Sequence, residues 1–419
     1  MKSPGETAVL VENLFRRQAG RMVAHLAHVL GPANLDLAEE TVQEAMLRAL
    51  QTWPYQGVPE NAAAWLFRVA HNSAIDALRR RRFTADADET RVAEIARADD
   101  TMPERPDLDE HLRDEELCMI FMCCHPQIPR EASVALSLKT VGGFSVREIA
   151  RAFLADDAAI AQRLVRAKRQ IRERGLTLDM PAGAELPRRL DAVLETIYLI
   201  FNEGYAAAEG DELIRHDLAG EALRLGRLVA DSPLADPRTH ALVALMAFQA
   251  ARLPARVDRL GDLVLLEDQD RSRWDRDLIA LGFDHFDRSI AGDSVSEYHA
   301  QAAIAATHAK AAVTGEFDWP RILMLYDQLL AMNPSPVVAL NRAVAVAKVH
   351  GPAEALAAIE PLKLRSYYLL LALRGHLLLE LGRREEAAAA FREALECRCS
   401  EPERRFLRRK LEETQLSPR

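Results

Sequence analysis

The chain has 419 residues, 49% of them hydrophobic and 28% charged, with a formal net charge of -9. That length suits two or three domains, and the balance of apolar and charged residues excludes a disordered or a membrane-embedded protein. No apolar run nears the roughly 20 residues of a membrane helix, and the start has no basic segment followed by an apolar run, so a cytoplasmic location is expected.

The net charge hides an uneven distribution. Residues 64–82 carry +4 and residues 162–174 carry +5, while residues 86–116 between them carry -9. Two basic stretches on an acidic tether suit two nucleic-acid contacts on one flexible string. Ala, Leu, Arg and Glu dominate amphipathic windows and little alternates with period two, so the expected fold is all-α. Residues 8–83 read as a compact helical unit and 84–110 as an acidic, proline-bearing linker. Residues 111–176 read as a second small helical unit, 185–295 as a helical extension, and 296–419 as a repeat region.

The first predicted helix, "DLAEETVQEAMLRALQTWP", has a buried stripe of Val42, Ala45, Met46 and Ala49 with Leu50. Asp36, Glu39, Glu40, Gln43 and Glu44 gather on its other face. Acids also favour a helix N-terminus, so a merely solvated helix start accounts for part of this. The loop that follows, "QTWPYQGVPEN", carries Trp53 and Tyr55. Either ring could stack on an unpaired base at about 1–3 kcal/mol, or equally fill a core.

In "NAAAWLFRVAHNSAIDALRRRRF", Trp65, Val69, Ala70, Ile75 and Leu78 line an inward face. Arg68, His71, Asn72, Asp76 and Arg79 fall on the outer one. The helix ends on Arg79, Arg80, Arg81 and Arg82. The helix macrodipole accounts for one or two of these cations, but four in a row repel one another and point to a polyanion. Asn72 is suited to a base edge.

The five cysteines form an uneven set, Cys118, Cys123, Cys124, Cys397 and Cys399. Without a second ligand pair nearby, "CMIFMCCHP" reads as buried thiols and not as a zinc site with His125, and no metal or other cofactor is expected. "FSVREIARAFLADDAAIAQRLVRAKRQIRERG" reads as helix-turn-helix. Ser145 and Glu148 form a capping box, and Ile149, Ala150 and Phe153 face inward. Asp156 or Asp157 starts the next helix, whose apolar stripe is Ile160, Leu164, Ala167 and Ile171. Gln162, Arg163, Arg166, Lys168 and Arg169 remain outside, suited to a major groove and its phosphates.

Beyond residue 185, Glu203, Asp211, Glu212, His216 and Asp217 make an acid-rich group that reads as surface, and Asp270 reads as a helix cap. No Gly-rich phosphate loop or nucleophile constellation appears, so the chain is not expected to be an enzyme. In "GHLLLELGRREEAAAAFREAL", Gly375, Gly382, Ala387, Phe391 and Ala394 sit at tetratricopeptide-like offsets. Tyr326, Ile359 and Phe391 repeat the period, and Pro334 falls where such units end, giving two to three repeats or a more generic hairpin stack.

The acidic helix followed by the basic one resembles region 2 of the extracytoplasmic-function sigma factors of bacterial RNA polymerase. Asp36, Ala38, Glu39, Glu40, Val42, Gln43 and Glu44 match its "D-x-AED-x-VQE" helix, and "AWLFRVAHNSAIDALRRRR" is similar to its promoter-melting helix. The resemblance implies that Asp36, Glu39, Glu40, Gln43 and Glu44 dock core polymerase. It also implies that Trp53, Tyr55 and the outer residues of the basic helix, Arg79 to Arg82 included, read the minus-ten element. "RLVRAKRQI" resembles the recognition helix of region 4, implying minus-thirty-five contacts by Gln162, Arg163, Arg166, Lys168 and Arg169. Ala161 stands where relatives carry a basic or polar residue. The linker would then thread polymerase channels as a polyanion mimic, although a solubilising tether has the same composition.

"IYLIFNEGYAAAEGDELIRHDLAGEALRLGRLVA" and "LLEDQDRSRWDRDLI" resemble the extension of a sigma subgroup with a C-terminal tetratricopeptide-like domain. A fused domain that regulates the sigma domains, by intramolecular contact among other routes, is what that architecture implies. The reading of a different class is a helix-turn-helix repressor or adaptor carrying a protein-interaction scaffold.

Overall fold

A computed structural model describes residues 18–82, 105–153, 155–206, 212–292, 294–364 and 367–415. Among these residues the regular structure is helical, apart from one antiparallel bridge between Val257 and Leu263. No helix among them is long and apolar enough to cross a membrane. The chain divides into two compact units, Met1–Thr196 and Ile197–Arg419.

The first unit opens with α1 (residues 18–30), α2 (Leu35–Gln56) and α3 (Ala62–Arg82). Val42, Ala45, Met46 and Ala49 are buried at three-to-four spacing, as the sequence predicts, and the stripe extends to Trp53. Leu50 departs from it: one position past Ala49, it turns outward and is exposed. Gly57 ends α2 at φ +84°, a conformation that suits a residue without Cβ.

The same unit continues with α4 (Arg105–Cys123), α5 (Arg130–Thr140), α6 (Val146–Ala152) and α7 (Asp157–Glu173). The first residues of α4 fall in the stretch expected as linker; residues 83–104 lie outside the described residues. The capping box is present, with Glu148 N–H donating to Ser145 Oγ at 3.1 Å and Ser145 N–H to Glu148 Oε2 at 2.7 Å. Ile149 and Ala150 of α6 and Ile160, Leu164, Ala167 and Ile171 of α7 form the buried seam. Cys123 and Cys124 are buried thiols, within 3.2 Å of Thr140 Oγ1 and 3.5 Å of Ser137 Oγ.

The second unit is a run of packed helices. In α10 (Pro237–Ala250) every residue from Ala241 to Phe248 is buried, against α9 (His216–Ala230), α11 (Arg276–Ser289) and α12 (Glu297–Thr314). The joining helix α8 (Leu186–Tyr205) spans the division between units. A Cβ on Gly282 would lie 2.6 Å from the Phe248 ring, so the α10–α11 crossing requires glycine there. Asp270 caps a short turn, Arg271–Arg273, and Asp275 caps α11 itself.

Helices then pair in sequence: α13 (Trp319–Met332), α14 (Pro336–His350), α15 (Pro352–Ile359), α16 (Tyr368–Glu380), α17 (Arg384–Leu395) and α18 (Glu401–Gln415). The predicted small residues act as expected in the last pair. A Cβ on Gly375 would meet the Phe391 ring at 2.8 Å, Gly382 turns the chain at φ +76°, and Ala387, Phe391 and Ala394 are buried.

Candidate nucleic-acid and partner interface

The apolar stripe of α2 fixes which residues it shows to the outside. Asp36, Glu40 and Gln43 are exposed, while Glu39 and Glu44 are half-buried, with Glu44 Oε1 2.6 Å from Arg48 Nη2. Leu47 and Leu50 lie exposed on the same side, so this face is acidic with an apolar end. Leu47 carries no sequence signal of its own, because its role follows only from where the stripe leaves it.

Trp53 and Tyr55, expected in a loop, lie in the last turn of α2, and there they separate. Trp53 is a core residue, 3% exposed and edge-on to Trp65 with ring centroids 5.4 Å apart. The expectation that it stacks on a base is corrected by that burial. Tyr55, two residues on and past Pro54, stands 82% exposed.

On α3, Arg68, Asn72 and Asp76 are exposed as expected, but His71 is buried, with its ring 6.2 Å from that of His25 on α1. His71 falls four residues after the buried Phe67 and four before the buried Ile75, on the inward side where α1 packs; the outward assignment is corrected. The backbone of Arg79, Arg80, Arg81 and Arg82 completes α3, and their side chains lie outside the described residues.

On α7, Gln162, Arg166 and Arg169 point outward, and Arg169 is held by Glu173 at 2.6 Å along its own helix. Arg163 reaches Glu131 at the start of α5, at 3.0 Å. Val165 is 65% exposed among them. It lies off the buried stripe of α7, and an apolar residue so placed is the signal by which the sequence could have revealed it.

Lys168 does something else. Its Nζ lies 2.7 Å from Asp36 Oδ1 and 3.0 Å from Glu39 Oε2, across from α7 to the start of α2. Burial pulls its pKa down, but the two carboxylates outweigh burial and hold it above the usual lysine value. The contact continues beyond this bridge. The Pro32–Asn34 turn packs on α7, and His25 Nδ1 lies 3.0 Å from Glu115 and Arg21 Nε 3.6 Å from Glu116 on α4. A Cβ on Gly20 would come 1.8 Å from Val141 O, so α1 meets the turn after α5 at backbone distance.

In the second unit the acid-rich group does not converge on one point. Glu203 Oε1 lies 3.8 Å from Arg215 Nε, and His216 and Asp217 open α9 on its outer side; Asp211 lies outside the described residues.

Three comparisons bear on this arrangement. Residues 14–84 match the model of sigma-70 region 2, and residues 118–171 match that of sigma-70 region 4. Residues 189–290 match a family of unknown function, DUF6596. An uncharacterized protein of Rhizobium meliloti (strain 1021) is 43% identical over 388 residues, covering 92% of each chain. No solved structure matches.

Proposed function

The chain belongs to the sigma-70 family, in its extracytoplasmic-function group, as an alternative sigma factor for promoter recognition, and we propose here how its surfaces divide that work. Asp36, Glu39, Glu40, Gln43 and Glu44, with Leu47 and Leu50, dock core RNA polymerase. Tyr55 takes an unpaired base of the minus-ten element, Arg68, Asn72 and Asp76 line the melted strand, and Arg79 to Arg82 hold its phosphates. Gln162, Arg166 and Arg169 approach the minus-thirty-five element, with Val165 suited to a thymine methyl. Sigma factors make no covalent bond themselves; polymerisation belongs to the partner in the cytoplasm.

The observation that carries this reading is the pairing of an exposed acidic and apolar α2 face with an exposed basic α7 face on one chain. Because Lys168 ties the start of α2 to α7, we assign the free chain a closed state. In it, Asp36, Glu39 and Lys168 neutralise one another instead of meeting polymerase and DNA. Binding of core polymerase opens it. The second unit regulates that opening.

Run-off transcription with purified core polymerase tests the assignment. The full chain should start transcripts at a defined position. Reversing Glu40 and Glu44 to lysine should abolish core binding, and reversing Arg79 to Arg82 should block promoter opening with core binding intact. Exchange of these two outcomes would show the surfaces to be misassigned. A chain that shifts duplex DNA alone and never binds core polymerase is a repressor instead. Comparison with residues 1–206 gives the sign of the second unit's control.

A further inference from the structure

The second unit forms an open cavity of about 340 Å³, within the size range of small-molecule sites. Alternate helices build it. Leu340, Val344 and Ala347 of α14 supply one stripe, Leu369, Leu373 and His376 of α16 a second, and Phe406 and Lys410 of α18 a third. Each stripe has helical spacing of three to four, so three helices turn the same kind of face to one space. Val344 and Leu369, with Leu265 of the loop across from them, are more than a third exposed.

Its charges are spoken for. Glu267 pairs with Lys348 at 2.7 Å, His376 with Glu380 at 3.3 Å, and Lys410 with Glu413 at 2.8 Å. The deepest carboxylate, Glu403, accepts from the Tyr368 hydroxyl and, at 2.8 and 2.7 Å, from Ser400 N–H and Oγ. No lining side chain has a buried polar atom without a partner. Asn341 also lines the cavity and can answer one polar group, while a charge on the ligand would be desolvated against groups already paired.

A fixed loop borders the mouth. The loop carrying Leu263 and Leu265 is pinned to α18, where Arg405 and Arg409 hold Asp262 at 2.5 and 2.6 Å. It is pinned to α14 by the Glu267–Lys348 pair. The loop is thus a fixed wall of the cavity, joined to helices on both sides of it. We propose that this cavity binds an uncharged, largely apolar small molecule.

The test uses the full chain and two dyes of similar shape, uncharged N-phenyl-1-naphthylamine and anionic 1-anilinonaphthalene-8-sulfonate. The uncharged dye should bind saturably, one per chain, and at least about tenfold more tightly than the anion. Ala372→Trp, which fills the space from α16, should abolish that binding. Should that variant fail to fold, Val344→Asp, at the exposed mouth, should weaken dye binding by about tenfold or more while the helical circular dichroism stays unchanged. Equal or tighter binding of the anion overturns the proposal, as does dye binding indifferent to the folded variants. Dye binding that disappears as chains associate at higher concentration overturns it too, and assigns the face to a second copy.

Discussion

A single ammonium group joins α7 to the start of α2. Lys168 and Asp36 lie 132 positions apart in sequence. A charge pattern read along one helix places the lysine outside without revealing what stands opposite. An ion pair of this kind, partly screened because Asp36 is mostly exposed, is worth about 1 kcal/mol at most, or about fivefold in an equilibrium constant. Lys168→Gln should therefore tighten the binding of the full chain to core polymerase by up to about fivefold, most at low salt. The same variant should weaken promoter binding by the assembled holoenzyme. Fluorescence anisotropy with core polymerase, then with promoter DNA, reads the two effects separately; unchanged core affinity would remove Lys168 from the closed state. The neighbouring aromatics make a second contrast. Tyr55→Ala should leave the melting temperature in place and slow open-complex formation by about tenfold, as loss of one base stack implies. Trp53→Ala should cost about 3–5 kcal/mol of stability, because it empties a core position. Thermal melts beside potassium permanganate footprinting separate these outcomes.

At the scale of the element, close approach sets the strictest demands. Gly375→Ala would press a methyl group against the Phe391 ring from 2.8 Å, an overpacking that should cost about 1–3 kcal/mol. Phe391→Leu in the same chain should recover part of that loss; a melt showing no recovery would place the strain elsewhere. This contact was legible from spacing alone, as was the Ser145–Glu148 capping box, because both depend on residues within one hairpin or one turn. The apolar stripes of α2 and α7 were legible for the same reason. What sequence could not supply came from neighbours on other helices. His71 goes inward because α1 packs there, and Lys168 is engaged because the Pro32–Asn34 turn meets α7. The cavity behind Val344 and Leu369 was equally hidden, since its walls come from five helices and a loop that no single window contains. Sequence therefore gave the acidic and basic helices of the candidate site, and the packing between them decided which side chains are still available.

For the molecule as a whole, the second unit carries a pH dependence independent of any promoter. Burial first, and then the neighbouring His240 and Arg288, hold His285 down to about 4. Burial, then Arg252, hold His308 down to about 3. His240 and His285 bring their Nδ1 atoms to 3.0 Å, a spacing that suits one proton between two neutral rings. His308 sits edge-on to Phe317 and Trp319, with centroids at 5.6 and 6.0 Å, where a charged ring would lose its hydration. In the unfolded chain both histidines titrate near 6.5. Below that pH the unfolded state takes up protons that the folded state refuses, so stability is complete above about 6.5 and falls as pH drops toward about 4. At pH 5, about one and a half pH units below the unfolded value, the loss should be about 2 kcal/mol for each ring. Calorimetric melts of the full chain at pH 7 and pH 5 should therefore show the second unit's transition moving down in acid. His240 is lowered by burial as well, so His308→Phe, which keeps an aromatic ring in contact with Phe317 and Trp319 but has nothing to protonate, should remove part of that movement and leave the rest to the His240–His285 pair. An unchanged shift in this variant would mean that His308 is already charged when folded, and that burial does not govern its titration.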